Sequence, residues 1–313
     1  VKPDIQQPLV SAIIITRHRA RLVSRAIHSV LKQSYQAIEL IVVVDGPDPE
    51  TVAIVAAILP PRSQLIELEH SVGPSEARNV GVRAARGEWI AFLDDDDEWF
   101  PSKTTAQVNA AASAGSHINL VHSRFEKRSA QETRLMPITF PREGEDWSHY
   151  FYYRAGLLIP SVLMVKRTTF ITMPFHKTLR RGVDVDWFLR ARAANLLSPC
   201  WTFDIVAVYH LEAEVDRVST HIDWKGRYTW LMDNLPLVAR QSVPYYIAML
   251  CIPEAKRSDR PLRAICFLFG EAVRLGKMNW RSTLYLLLTV VSSQELRGAL
   301  RRRLPFLSTV RTQ

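Results

Sequence analysis

The sequence predicts an α/β protein: a doubly wound, mostly parallel sheet flanked by helices, with a helical C-terminal extension. Three observations predict it. Over the first 125 residues, short apolar β-branched runs alternate with segments of helical period. Four consecutive aspartates, Asp94 to Asp97, directly follow one such run, Trp89 to Leu93. The alternation is lost from 124 to 182, and the chain beyond about 225 reads as helical and basic. At 313 residues there is length for one large α/β domain plus an appendage, or for two domains. The 47% hydrophobic and 23% charged composition is that of an ordinary globular protein.

The elements follow in order. Val10 to Thr16 reads as a strand, and Leu22, Val23, Ala26, Ile27, Val30 and Leu31 mark the apolar face of a helix. Ile38 to Val44 is a second strand, and its helix, carrying Val52, Val55, Ala56 and Leu59, breaks at Pro60-Pro61. A weaker strand spans Gln64 to Leu68. After Gly73-Pro74 a helix is expected over Ser75 to Arg86, with Ser75 as its cap, Glu76 in its first turn and Gly87 closing it. Trp89 to Leu93 is a buried strand, Ser102 to Ala114 a helix and Ile118 to Ser123 a strand. An aromatic stretch, Trp147 to Tyr153, and a strand around Ser161 to Val165 occupy the irregular middle, where a substrate-specific wall is expected. Asp184 to Asn195 resumes a helix with Trp187, Phe188, Ala191 and Ala194 on its apolar face.

Bulk properties exclude several classes. Three cysteines without metal-ligand spacing imply reduced thiols and no disulfide framework. Val1-Lys2-Pro3-Asp4 has no signal-peptide pattern, and the longest apolar stretch, Leu284 to Val291, is far short of a membrane span, so the expected location is cytoplasmic. Residues 251–313 hold twelve Lys and Arg against four Asp and Glu, which is eight of the nine net positive charges. Charge gathered in a tail rather than spread over the body argues against nucleic acid as partner. It fits peripheral contact with an anionic membrane, at its inner face. A merely solvated basic tail is the competing expectation.

Like charges packed together at a sheet edge need a cation or hydrogen-bonding partners, and Mg2+ takes oxygen ligands together with substrate phosphates. The four aspartates therefore read as a metal and diphosphate site, or as an acidic surface turn in which Asp97 caps the next helix, whose start Pro101 marks. The second strand ends in Asp45-Gly46-Pro47, a carboxylate for a base NH or ribose hydroxyl, or a plain turn. No Gly-x-Gly-x-x-Gly follows the first strand and no Gly-x-x-x-x-Gly-Lys-Ser/Thr occurs, which argues against a dinucleotide-binding dehydrogenase and a P-loop.

Taken in order, VSAIIITRHR (10–19), AIHSVLKQSY (26–35), ELIVVVDGPD (39–48), VGPSEARNVGVRAARGEWIAFLDDDDEWFPSK (72–103) and, more loosely, GVDVDWFLRA (182–191) resemble glycosyltransferase family 2 on the GT-A fold. The resemblance implies a metal-dependent, inverting transfer from a nucleotide-sugar donor, with uridine the expected base, to a glycan or lipid-linked acceptor. It implies Thr16 and Asp45 near the base, Arg78 near the base or diphosphate, and Arg17, Asn79, Asp94 and Asp95 completing the donor site. Asp96 would bind a divalent metal, Mg2+ or Mn2+, and Asp97 would serve as helix cap or outer-shell group. The family's general base falls at Asp184, with Asp186 as the competitor and helix capping as the plain role of either. Departures occur at Ile15-Thr16-Arg17-His18, at Val44-Asp45-Gly46-Pro47, and at Val183 where the family has glutamate, so the base-contacting wall is expected to differ. His210 and His221 flank Arg217 in a segment able to close over the donor, and the nine histidines lack metal-ligand spacing.

The expected partition is a nucleotide-sugar half over 1–123, an acceptor half over 124–225 and a basic helical region over 226–313. A nucleotidyltransferase would want a Gly-rich phosphate loop together with a lysine near the N-terminus, and no such loop is present. A catalytically inactive sugar-nucleotide-binding or membrane-scaffold protein is the alternative from another class. It would bind nucleotide with metal and show no turnover.

Overall fold

A computed structural model describes residues 7–154, 156–179, 181–211 and 223–291. The chain divides into two compact units, one of residues 1–137 with 158–215 and one of residues 138–157 with 216–313.

The first unit opens with β1 (Val10–Thr16), α1 (Ala20–Leu31), β2 (Ile38–Val44), α2 (Pro49–Ile58), β3 (Gln64–Glu67), α3 (Pro74–Ala84) and β4 (Trp89–Asp94). It continues through β5 (Glu98–Trp99), α4 (Lys103–Ala114), β6 (Leu120–Arg128), β7 (Thr133–Met136), β8 (Leu163–Lys166), α5 (Arg167–Thr172), α6 (Val183–Ala193) and β9 (Pro199–His210). The strands form one sheet in the order β3-β2-β1-β4-β8-β6-β9-β5, with β7 paired to β6. Its first four strands are parallel, and the Val, Ile and Leu runs of β1, β2 and β4 are buried along nearly their whole length, as a sheet covered on both faces requires, while β3 at the edge is only half-buried. Thr16 lies opposite Val44 and Ile15 opposite Asp94, so the C-terminal ends of β1, β2 and β4 share one edge. Open α/β sheets bind ligands at that edge.

The far half is mixed. β8 runs antiparallel to β4 and β6, β9 parallel to β6, and β5 antiparallel to β9. β6 runs past Ser123 through Arg124 to Arg128, because ladders to β7 and β9 on its two sides outweigh the weak strand preference of charged residues.

Two expected helix ends are corrected. α3 starts at Pro74 behind Gly73, whose φ of 86° suits glycine, while the Ser75 hydroxyl donates to the Leu179 carbonyl instead of capping. The helix stops at Ala84, and Gly87 does not close it. A Cβ on Gly87 would lie 2.5 Å from Ser11 Oγ, so glycine there permits the backbone to approach β1.

The second unit holds a π-helical turn, His149–Tyr153, then α7 (Trp224–Asp233), α8 (Val243–Tyr246), α9 (Ile252–Ala255), α10 (Pro261–Leu275) and α11 (Trp280–Val291). Tyr150, Phe151 and Tyr152 are buried, and Tyr152 and Tyr153 meet Tyr246 and Tyr245 with ring centroids 4.9 and 4.5 Å apart. The aromatic stretch thus builds this unit's own core. On α11, Leu286 is buried while Leu287 and Val291 stay exposed. Among the described residues no helix is long and apolar enough to cross a membrane. Arg217, His221 and the arginines from Arg297 to Arg303 lie outside the described residues.

Candidate active site

Each aspartate after β4 has different partners. Asp94 accepts from Arg78 Nη2 of α3 at 2.6 Å. Asp95 accepts from the Thr16 hydroxyl and from Arg19 Nη1, each at 2.8 Å. Asp96 has Oδ2 3.7 Å from Arg19 Nη1, and its carbonyl accepts from Arg25 Nη2 at 2.6 Å. Asp97 accepts from the Ser161 hydroxyl at 2.6 Å and the His210 amide at 3.3 Å. Asp97 is therefore not a helix cap: α4 begins six residues later, behind Ser102, and the carboxylate ties the turn to the segments ahead of β8 and at the end of β9.

The charges remain crowded. Burial lifts Asp95 to about 6 against the pull of Arg19 and Thr16, with Asp96 adding repulsion. Burial, then the charges of Asp94 and Asp96, push Asp97 well above the usual carboxylate range. Burial opposes the Arg78 charge, yet Asp94 first, then Asp184 and Asp95, outweigh it and raise its pKa.

Asp184 lies in the first turn of α6, behind Gly182 in the left-handed conformation, and its carboxylate accepts from its own backbone amide. Desolvation lifts Asp184 to about 7, with Arg78 lowering it and Asp94 raising it by smaller amounts. It thus shares an electrostatic neighbourhood with the ends of β4 and α3. Asp186 is buried and accepts from Arg190 Nε at 2.9 Å, four residues along the same helix. Of the two candidates for a base, Asp184 feels the acidic edge through Arg78 and Asp94.

The remaining expected donor residues are placed unevenly. Thr16 touches the acidic run directly. Arg17 is exposed and donates to Ser71 Oγ at 2.9 Å. Asp45 accepts from the Val72 and Gly73 amides and the Ser71 hydroxyl at 2.7–3.1 Å, so its carboxylate anchors the loop that leads into α3. Asn79 is buried, donates to Glu76 and the Phe175 carbonyl, and accepts from the Phe175 amide. The structure does not bring Asn79 to the cluster. Its amide is spent on holding Phe175 against α3.

Sequence reading missed Arg19, Arg25 and Ser161. Ser161 Oγ also accepts from the Asp94 amide at 3.2 Å, and the Ser161 carbonyl accepts from Trp99 Nε1 at 2.8 Å, so this one residue spans the acidic turn. Two arginines just past β1 are a signal for partners of an acidic edge, whereas Ser161 is distant in sequence and carries none. Among the described residues no group of three or more His, Cys, Asp or Glu side chains is disposed to hold a metal. Mg2+ bound together with a diphosphate takes one or two protein carboxylates and completes its shell with water and phosphate oxygens. Asp95 and Asp97 each accept two hydrogen bonds, while the Asp96 carboxylate lies 3.7 Å from Arg19 Nη1.

The sequence profile of glycosyl transferase family 2 matches residues 11–178, more than half of the chain. The protein belongs to this family. The family member is 38% identical over 234 residues to the succinoglycan biosynthesis protein ExoO of Rhizobium meliloti, covering 69% of this chain and 65% of ExoO. It is 33% identical over 118 residues to the Escherichia coli UDP-Glc:alpha-D-GlcNAc-diphosphoundecaprenol beta-1,3-glucosyltransferase WfgD, covering 38% of this chain and 46% of that one. The chain thus spans less than two thirds of the length of either relative. Among solved structures, the S. aureus TarS complex with UDP-GlcNAc superposes with a TM-score of 0.55 at 15% identity, covering 96% of this chain and 87% of TarS. The Pyrobaculum calidifontis mannosyltransferase PcManGT, in complex with GDP-Man and Mn2+, gives 0.52 at 18% identity, covering 97% and 84%. These likenesses establish the GT-A fold for this glycosyltransferase-family chain.

Proposed function

We propose that the chain transfers a sugar, with inversion, from a nucleotide-sugar donor to a hydroxyl of a glycan or lipid-linked acceptor. The observation that carries the reading is Asp184: a carboxyl raised to about 7, coupled to Arg78 and Asp94 at the ligand-binding edge of the sheet. The acceptor oxygen forms its bond to the anomeric carbon while the bond from that carbon to the diphosphate oxygen breaks. The acceptor proton passes to the Asp184 carboxylate, and the electron pair leaves on the nucleoside diphosphate.

Residues 1–123 hold the donor and residues 124–225 face the acceptor. Thr16, Arg17 and Asp45 order the base and ribose side, with uridine the expected base. Arg78 stands where it can meet the diphosphate, and Asp94 and Asp95 orient it. Asp96 would hold a divalent cation, Mg2+ or Mn2+, which when bound stabilises charge on the departing diphosphate. Likeness to a succinoglycan biosynthesis protein and to a glucosyltransferase with a diphosphoundecaprenol-linked acceptor supports polysaccharide assembly on a lipid carrier. A place at the cytoplasmic face of the membrane follows from such an acceptor.

A panel of nucleotide sugars screened for metal-dependent thermal stabilisation, followed by donor turnover, tests this. The matching donor at ~100 times its Kd stabilises by about 2.7 kcal/mol. Stabilisation with neither transfer nor hydrolysis, across all acceptors tried, would return the inactive-binder alternative.

A further inference from the structure

We propose that the cleft between the start of α7 and the start of α10 is a second ligand site, one that binds the phosphate or diphosphate head of a lipid. The cleft lies wholly within the second unit and has a volume of about 770 Å³. The inference does not depend on the transfer reaction, since it concerns binding alone.

Its charge is the first argument. Lys225, Arg257, Arg260 and Arg263 line the cleft, against Asp223 and Asp259. The Asp223 carboxylate is already used, accepting from the Gly226 amide at 2.9 Å to cap α7. Two other arginines of this unit are ion-paired: Arg227 with Glu254 at 2.7 Å and Arg274 with Glu271 at 2.5 Å. Arg257, Arg260 and Arg263 make neither an ion pair nor a side-chain hydrogen bond among the described residues. Three unpaired guanidinium groups around one cavity repel one another, and a phosphate, with its several acceptor oxygens, satisfies their planar forks. α10, fifteen residues long, begins here with no side-chain cap, so its first amides and the positive end of its dipole add to the same field.

Its apolar wall is the second argument, and it selects the chemistry of what the phosphate is attached to. Trp224 and Phe267 line the cleft with ring centroids 6.2 Å apart. Phe267 is 45% exposed, and Leu262, next to Arg263, is 79% exposed. An inorganic anion has no use for these groups. A ligand with a phosphate head and a hydrocarbon chain covers both, placing oxygens on the arginines and the first methylenes along Phe267 and Leu262.

The test uses the full chain in EDTA, which removes metal-assisted diphosphate binding at the acidic edge. Farnesyl diphosphate and inorganic diphosphate are titrated by calorimetry into the wild type, the triple variant Arg257→Gln/Arg260→Gln/Arg263→Gln, and Leu262→Ser/Phe267→Ser. All five positions are at least partly solvent-exposed, and thermal melts verify that each variant folds. The proposal expects farnesyl diphosphate to bind at least about tenfold more tightly than inorganic diphosphate. The arginine variant should lose both ligands, and the apolar variant should lose only that tenfold preference. Vesicle flotation separates the sources. Recruitment to phosphatidylglycerol vesicles that farnesyl diphosphate competes away means that bulk phospholipid heads fill the cleft. Farnesyl diphosphate binding without such recruitment means a dedicated isoprenoid-type lipid. Unchanged affinity in the arginine variant, or equal affinity of the wild type for the two diphosphates, overturns the proposal. So does farnesyl diphosphate binding that is abolished by Asp96→Ala and kept by the arginine variant, since that puts the ligand at the donor site.

Discussion

The two ends of the parallel sheet carry carboxylates under opposite regimes. At the closed end, Glu39 of β2 is buried and accepts from Ser11 Oγ, Arg86 Nε and the Arg86 and Gly87 amides at 2.5–3.1 Å. Burial raises its pKa, but these hydrogen bonds together outweigh burial and leave it lowered. At the open end, Asp95, Asp97 and Asp184 are raised, because burial and neighbouring carboxylates exceed what Arg19, Ser161 and Arg78 return. A saturated carboxylate fastens strands. A group of under-compensated ones stores electrostatic cost that a cation or a transferred proton can relieve.

That contrast is broken most sharply by Asp184→Asn, which is expected to lower kcat by roughly 10² to 10⁴ while donor affinity holds, the range for losing a general base. Steady-state kinetics beside donor titration checks it. Normal turnover in Asp184→Asn, with loss in Asp186→Asn, would move the base two residues along.

Glu39→Ala should do the reverse, destabilising by about 3 kcal/mol because the buried Ser11 hydroxyl and the Arg86 amide lose their acceptor. Activity per folded molecule should not change. Urea denaturation beside specific activity measures both.

Ser161→Ala withdraws the donor from Asp97 and the acceptor from the Asp94 amide, so the acidic turn loosens. An approximately tenfold drop in kcat is expected, with recovery in Ser161→Thr. A drop that Ser161→Thr does not recover would mean that the hydroxyl does not hold the turn.

The smallest effect concerns stability against pH. A carboxyl raised in the folded state stabilises fully below its unfolded pKa, near 3.8, and that contribution is lost as pH rises through about 7. Asp184→Asn should therefore raise Tm at pH 8 and leave it unchanged at pH 4. Glu39 has the opposite sign: lowered in the folded state, it stabilises above its unfolded pKa and loses that as pH falls through the folded one. Glu39→Gln should cost stability at pH 8 and less at low pH. Equal pH dependence in both variants would erase the distinction between the ends.

The parallel half was legible because its strands are continuous apolar runs, and β1, β2 and β4 lie where Val10–Thr16, Ile38–Val44 and Trp89–Leu93 predict. β9 was not, since its buried Val206, Ala207 and Val208 follow an exposed Phe203, Asp204 and Ile205 that break the alternation. The same holds within the site. Asp94 to Asp97 announce themselves as a run, but which oxygens are closed depends on Arg19, Arg25, Ser161 and the His210 amide, brought from three other parts of the chain. Asp45 and Asn79 look like ligand-facing groups in a linear motif. Only their partners, the Ser71–Gly73 loop and Phe175, reveal how much of their hydrogen-bonding capacity the fold already uses.

The metal and diphosphate site proposed for the open end assigns its metal-binding carboxylate to Asp96, 3.7 Å from Arg19 Nη1. Titration calorimetry of wild type and Asp96→Ala with uridine diphosphate, with and without Mn2+, tests it most directly. Mn2+ should tighten binding to the wild type by at least about tenfold and have no effect on a folded Asp96→Ala. Undiminished metal-dependent affinity in Asp96→Ala would contradict the assignment.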